Sequence, residues 1–302
     1  MRALWAFKAE QKRFGIGKVN IGGLPGANPT VLIGSIFYHG HRILKDETKG
    51  DFNKEAAEEC INIQEEFSDK TGNPHMLDVV GSTAEAFKKL LDFVSSVTDS
   101  PILLDGATAS VRVAGLRYVK ESGLRNPIVY NTLTPECKKD EIEEIRKSNV
   151  KSAVLLAYNL KEFTSEGRVK AIRELLPVAY SAGIEKPLID TCVMDLPTLG
   201  QACEAIFKTK SELGLPVGCG AHNAVALWKG LKGKMGDQAV KPCLASAAAT
   251  AAAIGADFVL YGPIEDAKYV FPAVAMVNVA QSQVWVERGV KISSDHPRFK
   301  VG

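Results

Sequence analysis

The chain has 302 residues, of which 46% are hydrophobic and 24% charged, and its formal net charge is +2 at pH 7. That balance provides for a large core without lipid and excludes a disordered chain. The lysines are interleaved with glutamates at helical spacing, so there is no clustered basic face to suggest nucleic acid.

A polar opening, about residues 5–22, suits a small hairpin with Gly15 and Gly17 around its turn. The first apolar run, VLIGSIF at 31–37, ends in the sequence YHGH and leads into a helical pattern over 53–70. The same alternation then repeats: MLDVV (76–80) with a helix over 83–96, PILLD (101–105) with 109–122, and PIVYN (127–131) with 138–148. It continues as SAVLLAYN (152–159) with 164–182, PLID (187–190) with 196–213, PVGCG (216–220) with 238–254, and DFVLYG (257–262) with 264–285. The Ala/Ser/Thr-rich stretch 243–259 is interrupted by Gly255 and Asp257, which favours a helix packed closely on a sheet over a membrane span. The tail, about 286–302, carries charges and Pro297 and is expected to run over the surface.

Eight apolar strands, each followed by a helix, predict a (β/α)8 TIM barrel, because strands buried on both faces lose polar alternation. An open doubly wound sheet would bring a G-x-G-x-x-G turn after its first strand, and none is present. No Ser/Pro/Gly linker divides the chain, so a single domain over 1–302 is expected. Six cysteines without a C-x-x-C pair, in a chain that opens MRALWAFKAE without a signal peptide, point to reduced thiols in the cytoplasm.

In such a barrel, chemistry gathers at the C-terminal strand ends, which here offer His39, His41, Asp78, Asp105, Asn131, Asn159, Asp190, His222 and Asn223. His-x-His after a first strand admits a metal-dependent hydrolase built on His39 and His41. Further ligands are scarce. His75 precedes its strand, Asp257 opens rather than closes its own, and no lysine ends the runs at 127–131 or 152–159. The expectation is therefore no metal, with His39 and His41 as hydrogen-bonding or interface residues. The amides and carboxylates suit a flat heterocycle with several ring N–H and C=O groups, since Asn donates and accepts while Asp accepts two N–H bonds. Taken singly, Asn131 and Asp190 could instead cap the helices that follow them.

The runs LIGSIFYHGH, LDVVG, LLDGATA, VYNTLTPE, LLAYN and GAHNA, spread over roughly residues 4–285, resemble the family of the H component of the methyl-tetrahydromethanopterin:coenzyme M methyltransferase. The resemblance extends to cytosolic relatives that move methyl groups between corrinoid proteins and tetrahydrofolate. It implies a pterin-binding barrel in which Asp105, Asn131 and Asp190 hold the ring and Asn223 approaches N5, the atom that gains or loses the methyl group. Asp78 is carried over as a further ring-binding residue, and Asp195 and Tyr158 more loosely.

N5 of a methylated tetrahydropterin is a poor leaving group, so a hydrogen bond or proton must develop there in the transition state. A neutral amide at Asn223 is expected to donate in one direction and rotate to accept in the other. The resemblance further implies that cobalamin is supplied by a corrinoid partner protein docking at the mouth, where HGH would meet that partner or the twin copy in a homodimer. The carrier is expected to be tetrahydrofolate. The alternatives are tetrahydromethanopterin as part of a membrane complex, the metal-dependent hydrolase, and an inactive scaffold. No nucleic acid and no membrane insertion of the chain itself are expected.

Overall fold

The computed structural model of the protein describes residues 6–302. Residues 1–5, which the sequence assigns to the same unit, lie outside the described residues. Strands β1 (Arg13–Ile16) and β2 (Val19–Gly22) pair antiparallel about a turn in which Gly17 has φ of 57°. The hairpin is thus shorter than the sequence suggests, because residues 6–12 form no strand and bond instead along the end of a later helix, with the Ala9 N–H donating to Ser211 O.

Next come β3 (Val31–Ile36), the short antiparallel pair β4 (Leu44–Asp46) and β5 (Asp51–Phe52), and α1 (Lys54–Thr71). Four repeats follow: β6 (His75–Gly81) with α2 (Ala84–Val97), β7 (Ile102–Gly106) with α3 (Ala109–Ser122), β8 (Ile128–Leu133) with α4 (Lys139–Ser148), and β9 (Ser152–Leu156) with α5 (Ser165–Ser181). Then come β10 (Lys186–Asp190) with α6 (Leu196–Leu213), β11 (Val217–Cys219) with the short helices α7 (Asn223–Ala226) and α8 (Leu231–Met235) before α9 (Val240–Ile254), and β12 (Phe258–Pro263) with α10 (Ala267–Val286). Strands β3 and β6 to β12 close into one parallel barrel in chain order, β12 pairing with β3. Side-chain caps start most of the long helices: Asn53, Thr83, Thr108, Thr164 and Asp195 each accept a backbone N–H of the first turn.

Period-two alternation divides each strand between two cores. Leu32, Leu77, Leu104, Tyr130, Leu155, Ile189, Val259 and Tyr261 face outward into the shell of helices. Ile33, Met76, Leu103, Val129, Val154, Leu188 and Phe258 face inward and pack with Ile16, Val19 and Ile21 of the hairpin, which therefore plugs the N-terminal end of the barrel. At that end Lys210 Nζ lies 2.7 Å from both carboxylate oxygens of Asp257 and 2.9 Å from Gly23 O, a buried ion pair that also ties down the hairpin.

Most of the C-terminal tail is exposed, with two residues excepted. His296 and Pro297 are buried and close over the end of α1, where a Cβ on Gly72 would meet Asp295 O and Pro297 N. A proline and a neutral imidazole can pack there as apolar surface, which the charges around them obscure in the sequence.

Candidate active site at the barrel mouth

The position two residues beyond each inward apolar side chain also faces inward, one layer nearer the mouth. That step leads from Ile33 to Ser35, from Met76 to Asp78, from Leu103 to Asp105, from Val129 to Asn131 and from Leu188 to Asp190. An apolar plug thus carries a polar floor built by five strands. Register brings the members together: Ser35 pairs with Asp78 across β3 and β6, and Asp105 with Asn131 across β7 and β8.

Asp78 is 3% exposed and is the hub of this floor. Its Oδ2 accepts the Ser35 hydroxyl at 2.7 Å and its Oδ1 accepts Nδ2 of Asn131 at 3.0 Å. Burial pushes its carboxyl up to about 6, and the bonds from Ser35 and Asn131 oppose that rise. Burial and the neighbouring charge of Asp78 hold Asp105 well above the ordinary carboxylate range, with Arg112 and the Gly106 N–H pulling it back. Asp190 is pushed up to about 6 by burial, against the N–H groups of Cys192 and Gly220 and the charge of Arg168. Asp78 is already bonded on both oxygens, whereas Asp105 and Asp190 in the same layer carry fewer protein donors than a carboxylate can accept, and a ligand bearing N–H groups would supply what these two lack.

Asn223 begins α7 and its Nδ2 donates to Val193 O at 3.0 Å. Since the Cys192 N–H donates to Asp190 at 2.8 Å, that bond ties Asn223 to the loop that Asp190 opens. Arg168, buried on α5, braces the same loop: Nε donates to Thr191 O at 2.8 Å and the other nitrogens reach Cys192 O and Gln201. His222 stays neutral, its imidazole held below its ordinary value by burial, while Nδ1 contacts Leu260 O at 3.1 Å.

The structure therefore gathers Asp78, Asp105, Asn131, Asp190 and Asn223 at one mouth. Other named residues do different work. Asn159 closes a turn by accepting the N–H groups of Lys161 and Glu162, and Asp195 caps α6 in a reciprocal capping box with Thr198. Tyr158 packs edge-on against Phe163.

The two histidines of HGH diverge. His39 is exposed with Nδ1 2.9 Å from Glu47, whereas His41 is buried, accepts the Phe37 N–H at 3.1 Å, stacks on Tyr38, and places Nε2 3.2 Å from Glu265. Among the described residues, no group of three or more His, Cys, Asp or Glu side chains is placed to hold a metal. Sequence reasoning passes over Ser35, although the two-residue step from Ile33 marks it. It passes over Arg168 too, because an arginine in an amphipathic helix reads as solvated.

Comparison with known proteins adds the family. The family described as "Tetrahydromethanopterin S-methyltransferase MtrH subunit" matches residues 9–293. The H component of the tetrahydromethanopterin S-methyltransferase of Methanothermobacter marburgensis is 38% identical, covering 99% of this chain and 100% of its own length. Its counterpart in Methanopyrus kandleri is 39% identical over 95% of this chain and 96% of its own. The H component of the putative methyltransferase mtx of Methanosarcina mazei is 35% identical over 97% and 98%. Among solved structures, the dihydropteroate synthases of Yersinia pestis and Xanthomonas albilineans each superpose with a TM-score of 0.60. They are 15% and 16% identical and cover 90% of this chain, and 100% and 99% of their own, so they share the barrel fold. With a family match over nearly the whole chain and relatives above one-third identity, the protein belongs to the MtrH family of tetrahydromethanopterin S-methyltransferase components.

Proposed function

We propose that the protein is a methyltransferase that moves a methyl group between a corrinoid on a partner protein and N5 of a tetrahydropterin bound in the barrel mouth. The observation that carries this reading is the pair of under-satisfied carboxyls Asp105 and Asp190, with Asn131, bonded to Asp78, beside them and Asn223 at the edge. A pterin ring presents an amidine edge of adjacent N–H donors, which ionised carboxylates accept in pairs.

In this reading Asp105, Asn131 and Asp190 clamp the ring, which makes the reaction effectively unimolecular once the partner has docked. Asn223 supports the change at N5. Its Nδ2 is held on Val193 O, while its other amide hydrogen and Oδ1 bond to none of the described residues. The anchored amide thus keeps one hydrogen and its oxygen available to the pterin without giving up that bond. In this reading the anchored amide serves both directions, donating through its second hydrogen or accepting through Oδ1. His222, neutral beside it, adds no positive charge that would oppose protonation of N5.

The corrinoid supplies the methyl group in electrophilic form. Leu160, Met194 and Leu227 stand exposed on the loops after β9, β10 and β11, with exposed Leu196 at the start of α6, an apolar rim that fits a docking protein. No helix among the described residues is long and apolar enough to cross a membrane. The names of the relatives favour tetrahydromethanopterin as carrier; tetrahydrofolate shares the ring and differs in the side chain beyond it, which the floor residues do not read. A homodimer with HGH at its interface is part of the same proposal.

The test is to incubate the purified protein anaerobically with methylcobalamin and either tetrahydrofolate or tetrahydromethanopterin, following the corrinoid spectrum and the methylated pterin. Turnover with one carrier names the substrate. Turnover with neither, together with no binding of either, refutes the reading.

A further inference from the structure

We propose that Asp78 is a positioning residue rather than a ring contact: it locks the Asn131 amide with its oxygen toward the pterin, making Asn131 an acceptor for a ring N–H. The proposal rests on the pterin-binding reading above.

Both carboxylate oxygens of Asp78 are already used by protein donors, Ser35 at 2.7 Å and Asn131 at 3.0 Å, and 3% exposure leaves no face for a ligand. An Asn amide can turn its nitrogen or its oxygen toward a neighbour with almost no change in shape, so its orientation is set by what it bonds. An ionised carboxylate only accepts, so Nδ2 of Asn131 must face Asp78. The Ser35 hydroxyl spends its hydrogen on Oδ2 and cannot offer Asp78 an alternative arrangement.

Oδ1 of Asn131, on the other side of the amide, bonds to none of the described residues. Asn131 is the register neighbour of Asp105. Two acceptors thus stand side by side on β7 and β8, and they match a ring edge that offers adjacent N–H groups. The chain Ser35 to Asp78 to Asn131 sets the polarity of the site from three strands that are distant in sequence but share one layer in space.

Exchanging the carboxylate for an amide inverts that polarity. In Asp78→Asn the new side chain keeps Ser35 on its oxygen and turns its NH2 toward Asn131, which must flip and present its own NH2 to the ring. Two donors then face each other, and tetrahydropterin affinity should fall about 30- to 100-fold, the loss expected from one broken and one opposed hydrogen bond. The double variant Asp78→Asn/Asn131→Asp places an acceptor back at 131 on both sides and should recover most of that affinity.

Isothermal titration with the tetrahydropterin, alongside circular dichroism to confirm folding, reads both variants. Undiminished affinity in Asp78→Asn overturns the proposal. So does a loss that the double variant fails to repair, which would make Asp78 a ring contact or a packing residue. Should Asp78→Asn not fold, Ser35→Ala loosens the hub from its other side and should weaken binding several-fold; no change overturns the proposal.

One measurement is independent of ligand. In the free wild-type protein the Asn131 side-chain NH2 should show one exchange-protected hydrogen by 15N NMR, lost in Asp78→Asn, and an unprotected amide in the wild type overturns the proposal. A wild-type protein that protects this hydrogen yet binds no tetrahydropterin leaves the hydrogen-bond lock standing and removes the methyltransferase reading instead.

Discussion

Acidification should loosen the pterin from the site while leaving the fold intact, and Asp190 is the place to see it. Burial pushes its carboxyl up to about 6, because the N–H groups of Cys192 and Gly220 and the nearby Arg168 only partly replace water. Protonation converts one acceptor oxygen into a hydroxyl that opposes the ring's N–H groups. If the ring binds only the ionised form, the apparent Kd scales as one plus the ratio of protonated to ionised carboxyl, so affinity falls about tenfold from pH 7 to pH 5.

Stability of the unliganded protein runs the other way. The folded value lies above the ordinary 3.8 of an aspartate, so the contribution of Asp190 is fully present below about pH 4 and is lost as pH rises through about 6, by up to about 3 kcal/mol. Anaerobic titration calorimetry at pH 5, 6 and 7, in buffers of different ionisation heat, gives both the affinity and the proton released on binding below pH 6. Asp190→Asn should bind about tenfold more weakly at pH 7, having lost one charge-assisted acceptor. It should retain only the slope due to Asp78 and Asp105. A wild-type affinity that stays constant from pH 5 to 7, or a full slope surviving in Asp190→Asn, would show that the ring does not meet an ionised Asp190.

Asn223→Ala should lower the transfer rate about 100-fold, the loss typical of one transition-state donor, while shifting the pterin Kd less than about threefold. Single-turnover kinetics separate the two, and equal losses in both would make Asn223 a ring-binding residue only. At the opposite end of the barrel, Lys210→Met strands the buried Asp257 carboxylate, 2.7 Å from Nζ in the native protein, and should cost about 3–5 kcal/mol. Calorimetry should then place Tm about 6–20 °C lower; an unchanged Tm would mean that Asp257 is neutral without its lysine. His41→Ala leaves the Phe37 N–H buried without an acceptor and should destabilise by about 1–3 kcal/mol in denaturant titration. Exposed His39→Ala should stay within about 0.5 kcal/mol. Elemental analysis finding stoichiometric zinc that either substitution removes would revive the metal-centred reading of HGH.

Most of the helices and strands were legible because each repeats one local rule: an apolar run bounded by turn residues, then a 3.6-residue periodicity opened by Asn, Thr or Asp. The predicted helices 53–70, 109–122 and 196–213 fall within a residue of α1, α3 and α6. The β4–β5 pair and the helices α7 and α8 were missed because they are too short to show a period. Within the largely exposed tail, the burial of His296 and Pro297 is likewise not legible, since it depends on packing beside α1 that no local pattern announces.

The same division runs through the mouth. Sequence alone determined that carboxylates and amides stand at most of the strand ends, because strand direction and period place those residue types at one end of the barrel. Which atom each one turns toward a ligand was decided only in three dimensions. Asn131 and Asp78 lie on different strands, and register and closure bring them to 3.0 Å. Likewise the two histidines of HGH are alike in sequence, yet one reaches solvent and the other packs beneath Tyr38 against Glu265. Hydrogen-bond partners distant along the chain set an amide's polarity and a carboxyl's charge, and only closure of the barrel brings such partners together.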